Sequence, residues 1–272
     1  MATLKAGNDP NKWPQPDLAE VVNLCSMIAE KKDWMGKRDA AMIAIIGMFG
    51  KRAGEVTRLQ RKDIVIGPNK IGKLPLAQGE FGIHFQIQKA QSPAKKRCKC
   101  GKVNSAKNVF CSECGKSMKN ALLIPKKRAP VDKYKLTALS HPLARFLFEW
   151  LKEIPRSSES YIFPRSNIDV KQGEFPDRTS SRPVWNTPLS RRAPWRVLQT
   201  VDKSVWPHLL RHILANELTN RKDKEGNYVY DEKSIIDFFD WSNRNTYLGY
   251  IALGGEKRAA EVGRNVGDLF KG

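Results

Sequence analysis

Tyr250 stands nine residues after Trp241, behind His208 and Arg211 three positions apart, and behind Arg52 with Glu55 three positions further on. Together these residue types suit phosphoryl transfer. A phenol with a reference pKa near ~10 attacks a phosphodiester only when cations and proton-transfer groups surround it. Arg52 and Arg211, always charged and able to bind bidentately, would grip the non-bridging oxygens and stabilise a five-coordinate phosphorus. His208 would accept the phenol proton or donate to the phosphate, and both roles need its ring at the phosphate. Trp241 offers one indole N–H, which can hydrogen-bond phosphate but cannot carry protons. Each has a blander reading alone: His208 and Arg211 as a surface pair, Trp241 as core, Tyr250 as a packing residue with a wet hydroxyl.

The elements that must position these groups can be read from periodicity. Asp17 with Glu20 forms a capping-box pattern, opening a helix whose Leu18, Val21, Val22, Cys25 and Ile28 make one apolar face. A second helix, from about residue 37 to 48, is apolar on nearly all sides and should be buried centrally. Gly50 interrupts it, and Arg52 is expected on the short helix that follows, with Glu55 orienting its guanidinium. Phe81, Ile83, Phe85 and Ile87 alternate with polar or small residues, the two-residue period of a strand. With 63–66 and 121–124 it suggests a small antiparallel sheet at one edge of a helical domain.

Leu143, Phe146, Leu147, Trp150 and Leu151 form a helical stripe behind a Ser140 cap. Residues 155–188 read as mostly loop, broken by a short 161–163 segment. Helices are expected at about 189–201, 207–220, 232–240, 243–251 and 255–269. Pro207 opens the second of these, so His208 and Arg211 should project from one face while Leu209, Leu210, Ile213 and Leu214 serve the core. The fold class is mainly α with a small antiparallel β-sheet.

The chain has 272 residues, and 48 Lys+Arg against 28 Asp+Glu give +20. Such an excess is the electrostatic footprint of a protein that meets phosphate backbones. No signal peptide and no apolar run long enough to span a bilayer is visible, so a soluble, intracellular (cytoplasmic) protein with reduced thiols is expected and no membrane partner.

Spaced cysteines then read as metal ligands. Cys98 and Cys100 precede Gly101, and Cys111 and Cys114 precede Gly115, a four-thiolate set that suits a closed, structural zinc ion. The first half is one residue shorter than the usual two-residue spacing. The rival reading is four unliganded surface thiols, although a segment with so little apolar content would then have nothing to fold it. Residues 89–128 hold 12 Lys+Arg and one acid, Glu113. A metal-rigidified basic finger fits a DNA backbone clamp; a solvated loop is the alternative. Cys25, on an apolar helix face, reads as core.

The order of these motifs resembles the tyrosine recombinases, the phage-integrase family. Gly50-Lys51-Arg52-Ala53-Gly54-Glu55 after an apolar helix is similar to the first family box. The run from Trp206 to His212 resembles the second, and Phe239-Asp240-Trp241 with Tyr250 behind it resembles the third. Many members have Gly-His where this chain has Asp240-Trp241; the tryptophan is a family alternative, the missing glycine a departure. Tyr247 is a nearer phenol, but its six-residue distance from Trp241 does not fit. The family also carries a hairpin lysine, which Lys89 matches best in place, with Lys95 and Lys96 as rivals.

The resemblance implies in-line attack by Tyr250, a covalent 3′-phosphotyrosine, Lys89 as the acid for the leaving 5′-oxygen, and Arg52, His208, Arg211 and Trp241 around the phosphate. Rejoining would need no nucleotide and no catalytic metal. It implies double-stranded DNA as partner and a homo-oligomer, dimer or tetramer, on that DNA. Domains would be a loose arm over 1–16, a catalytic domain over 17–254 interrupted by a zinc ribbon at 98–117, and a C-terminal helix over 255–272 that docks on a neighbouring subunit or folds back. With little chain before the first core helix, an excised catalytic domain or an unusually small recombinase is expected. An integrase or resolvase of a mobile element is the natural setting. A type IB topoisomerase-like strand transferase and a non-catalytic zinc-ribbon DNA-binding protein are the alternatives.

Overall fold

Asp17 accepts a hydrogen bond from the Glu20 amide at 2.8 Å, and the Glu20 carboxylate returns one to the Asp17 amide at 2.9 Å, so α1 (Leu18–Ala29) opens on the expected capping box. Its buried face is Val21, Leu24, Cys25 and Ile28, with Leu24 replacing Leu18 and Val22 of the expected stripe. The structure, a computed structural model, describes residues 17–31, 33–87, 92–105, 107–126, 131–167, 181–241 and 244–251.

Helix α2 (Trp34–Phe49) begins three residues earlier than periodicity suggests, because Asp33 caps it by accepting the Gly36 amide. Every residue from Ala40 to Phe49 is buried. A helix with no solvent face must be enclosed, and α1, α4 (Ala144–Leu151) and α6 (Pro207–Asn220) all pack on it. Truncating a fully buried side chain here, such as Ile45, would cost about 2–5 kcal/mol.

The chain divides into two compact units, residues 1–84 with 134–272, and residues 85–133. After the short α3 (Ala53–Val56), β1 (Ile64–Ile66) leads through a β2–β3 hairpin (Asn69–Ile71, Leu74–Leu76) to β4 (Glu80–Ile87). Strand β4 pairs antiparallel with β1, and β8 (Val131–Ala138) completes the order β1-β4-β8. The expected third strand is elsewhere: β7 (Leu122–Lys126) belongs to the second unit, where it flanks β5 (Ser92–Arg97) opposite β6 (Val103–Ser105). Strand β8 escaped notice because Asp132, Lys133 and Lys135 dilute its apolar alternation.

Ser140 does not cap α4. Leu143 takes that place, its amide donating to His141 Nδ1 at 3.1 Å. Trp150 of α4 donates its indole N–H to Ile162 O at 2.7 Å and stacks against Trp34 and Trp185. The segment expected as loop contains β9 (Pro164–Ser166) and β10 (Pro183–Pro188), paired antiparallel. Helices α5 (Ala193–Gln199), α6, α7 (Glu232–Phe239) and α8 (Arg244–Ile251) then follow. The architecture is mainly helical with small antiparallel sheets, the class the periodicity indicates. The expected arm over 1–16 and helix over 255–269 lie outside the described residues, among which no helix is long and apolar enough to cross a membrane.

Candidate active site and candidate metal centre

Pro207 is the first residue of α6, where its missing N–H costs nothing, and Arg211 follows one turn later with only 3% of its surface exposed. Its guanidinium donates from Nη1 to Gly50 O and from Nη2 to Phe239 O at 2.7 Å. It also lies over the rings of Phe239 and Trp241, 4.9 and 5.6 Å from their centroids. Those two rings stack on each other. Gly50 permits this approach: its φ is +56°, and a Cβ there would stand 2.3 Å from Phe239 Cε1.

Arg52 is not on a helix, as the spacing suggests, but is the N-cap residue of α3. Glu55 does meet it, Oε1 to Nη1 at 3.4 Å, and its other oxygen accepts the Arg52 amide. The Arg52 side chain is 65% exposed, so its guanidinium is accessible to an incoming anion. His208 is exposed, and its pKa is pushed below the ordinary histidine range, first by desolvation and then by the charges of Arg211 and Arg52. Both cations are therefore felt at one ring. A neutral His208 at pH 7 can accept a proton. Behind it His212 is buried, its ring edge-on to His208 at 5.0 Å, with its pKa driven down to about 4 by burial first and then by His208 and Arg211.

Trp241 is buried with Ala215, Ile235, Phe239 and Tyr247. Tyr247, the phenol that spacing disfavours, is thus a core residue, 5% exposed. Tyr250 lies one turn further along the same helix α8; its side chain is outside the described residues, and so is Lys89. Lys95 and Lys96 stand on β5 in the second unit.

Three residues of this region escape a reading by motif. Asp240 takes the place where the resemblance expects glycine, and it adopts φ 55°, ψ 37°, the left-handed conformation that glycine would supply. Aspartate is among the few non-glycine residues that tolerate that region. Its carboxylate pairs with Lys51 Nζ, 1% exposed, and lies 3.6 Å from Lys135 Nζ. Lys135 reaches over the Phe238 ring to donate to Asp237 O at 3.2 Å. The faint signals are a lysine beside Arg52 and an acid in the glycine's place.

In the second unit the four cysteine sulfurs lie within 4.8 Å of one another and could hold a metal ion. Cys98 and Cys114 sulfurs are 3.5 Å apart, Cys100 and Cys111 3.7 Å. A tetrahedron with metal–sulfur bonds of about 2.3 Å has edges of about 3.8 Å, so the shortened first spacing does not spoil the fit. Gly101 and Gly115 have φ of +90° and +67°, the turns expected after each cysteine pair. Backbone amides of Cys114 and Glu113 hold the Cys111 thiol down to about 6, favouring the thiolate. Asn104 supports the site by donating to Cys111 Sγ while accepting from Ser112. Among the described residues, the two buried cysteines pack with Met118 and Ala121 in one small apolar cluster. Around it Lys95, Arg97, Lys99, Lys102, Lys107, Lys116 and Lys119 are exposed.

No protein-family model and no curated protein matches the chain. Among solved structures it is similar to the XerH site-specific recombinase bound to a palindromic difH substrate in a post-cleavage complex, with TM-score 0.48 and 15% identity over 93% of this chain and 53% of that one. The XerH pre-cleavage complex with difH gives TM-score 0.44 and 14% identity over 88% and 50%. The chain thus spans about half the length of these recombinases.

Proposed function

We propose that this chain is a site-specific DNA recombinase of the tyrosine type, cutting and rejoining strands through a covalent 3′-phosphotyrosine. The observations that carry the reading are His208 and Arg211 one turn apart on α6, the Arg211 guanidinium over the Trp241 ring, and the charges of Arg52 and Arg211 both felt at His208. Arginines that grip two non-bridging oxygens neutralise the charge of a five-coordinate phosphorus. Neutral His208 is suited to take the phenol proton of Tyr250 as its oxygen attacks. The P–O5′ bond breaks, and the 5′-oxygen takes a proton from Lys89, the acid of the hairpin lysines. Attack by a free 5′-hydroxyl on the phosphotyrosine reverses these steps and reseals the strand. Zinc held by Cys98, Cys100, Cys111 and Cys114 is structural, since four thiolates leave no position for water. Its unit serves as a basic clamp on the duplex backbone, and two or four copies act together on one DNA site.

The test uses nicked duplexes with randomised flanks, from which protein-linked DNA is recovered after denaturation. The wild type forms an adduct, Tyr247→Phe retains it where folded, and Tyr250→Phe loses it. An adduct that persists in Tyr250→Phe, or none with the wild type, overturns the reading.

A further inference from the structure

Arg211 and the buried ion pair stitch the same two segments together. Its guanidinium joins Gly50 O to Phe239 O, and the residues that follow each, Lys51 and Asp240, join each other through their side chains although 189 positions separate them. Lys135 closes the group from β8, holding Asp237 O and approaching the same Asp240 oxygen. We propose that Lys51, Asp240 and Lys135 are positioning residues that fix the orientation of the Arg211 guanidinium, and through it the place of the scissile phosphate. This rests on the strand-transfer reading above.

Stability alone does not account for the arrangement. A buried ion pair is often matched or bettered by apolar residues of similar volume, because desolvation consumes its Coulombic gain. Lys51 shows that cost, its pKa lowered by burial in spite of the Asp240 carboxylate. The left-handed backbone at Asp240 adds a strain that glycine would avoid. What the pair does supply is a register. The two carbonyls that orient Arg211 each sit one residue before a charged side chain of the pair, so neither segment can slide without breaking Lys51 from Asp240. Lys135 sets the angle of the 237–240 segment as well. A guanidinium is directional, and a misplacement of about 1 Å can cost about 100-fold in rate.

The test compares the wild type with Asp240→Asn, Lys51→Met, the double variant Lys51→Met/Asp240→Gly, which keeps the left-handed turn and leaves Lys135 its bond to Asp237 O, and the charge-free triple variant Lys51→Met/Lys135→Met/Asp240→Gly. In nitrogen-15 spectra, assigned by loss of the signal in Arg211→Lys, the wild-type Arg211 guanidinium should show slow rotation and resolved Nη protons. Those signals should collapse in the variants while Tm and duplex affinity of the triple variant stay near wild type. Adduct formation on a captured duplex should fall about 100-fold. That deficit should shrink when the scissile phosphate is a methylphosphonate, whose missing charge removes the need for a well-aimed cation. A merely structural role lowers both substrates alike. Unchanged Arg211 signals in every variant, unchanged cleavage, or equal deficits on the two substrates would each overturn the proposal. A wild type that forms no adduct refutes strand transfer instead, and the Arg211 spectrum then still decides whether the clamp exists.

Discussion

Trp241 lies flat against Phe239, ring centroids 4.6 Å apart and planes within 15°, and Arg211 rests on both rings. The stack therefore links the core of α7 to the proposed phosphate site. Phe239→Ala should cost about 3–5 kcal/mol in urea unfolding, the range for a truncated core aromatic. Trp241→Phe should preserve the stack, with a much smaller stability loss, while removing the indole donor. A Phe239→Ala loss below about 1 kcal/mol would contradict the packing described.

Gly50 should resist every side chain. Alanine there meets Phe239 Cε1 at 2.3 Å and must hold φ +56°. Overpacking and the left-handed backbone together predict a loss of about 2–4 kcal/mol. An alanine variant as stable as the wild type by denaturant titration would show that the Phe239 ring moves freely.

Acid should destabilise the fold partly through His212. The unfolded chain gains a proton there near 6.5, the folded chain only near 4. More protons bind the unfolded state between those values, so stability falls as pH drops through that window and this contribution levels off below about 4. His208 acts with the same sign, since its folded pKa is also lowered. Urea midpoints measured from pH 7.5 to 4 should fall less steeply in a folded His212→Gln variant. Equal slopes would mean that His212 titrates normally.

Zinc removal should act on one unit. Chelation, or Cys111→Ala, should release one zinc ion per chain and abolish hydrogen-exchange protection in the 95–124 sheet, leaving the helical far-ultraviolet signal largely intact. Its small apolar cluster cannot hold three strands without the metal. Retention of both zinc and exchange protection after chelation would exclude a structural metal.

The hairpin lysines can be told apart by leaving-group chemistry. A 5′-bridging sulfur departs as a thiolate and needs no proton. Lys89→Met should cleave an ordinary phosphodiester poorly and the 5′-thio substrate nearly as well as the wild type does. If Lys95→Met or Lys96→Met shows that rescue instead, the acid is the rescued residue.

Local chemistry was legible where it is decided locally. Pro207 and the apolar period gave α6 its bounds, and the Asp17 and Glu20 pair gave α1 its start. Of the motif residues, the fold lays the Arg211 guanidinium over the Trp241 ring. Strand β8 was missed because lysines occupy positions a strand usually gives to apolar side chains. Lys51, Asp240 and Lys135 were missed for a deeper reason. Lysine and aspartate are presumed exposed, and only the fold brings together partners separated by 189 positions. The left-handed turn at Asp240 is a case where the local rule asks for glycine and distant cations make aspartate acceptable.

The two carbonyls that Arg211 grips belong to helix ends: Gly50 caps α2 and Phe239 closes α7. Carbonyls there have no partner within their helix and carry the negative pole of its dipole. One guanidinium thus serves as a shared C-terminal cap for two helices, with each end contributing about 0.3–1 kcal/mol and more where partly buried. Substituting Arg211 would uncap both at once. A dead Arg211 variant is therefore no clean measure of phosphate chemistry, and Arg52, whose exposed guanidinium pairs with Glu55, is the better arginine for testing the proposed chemical step.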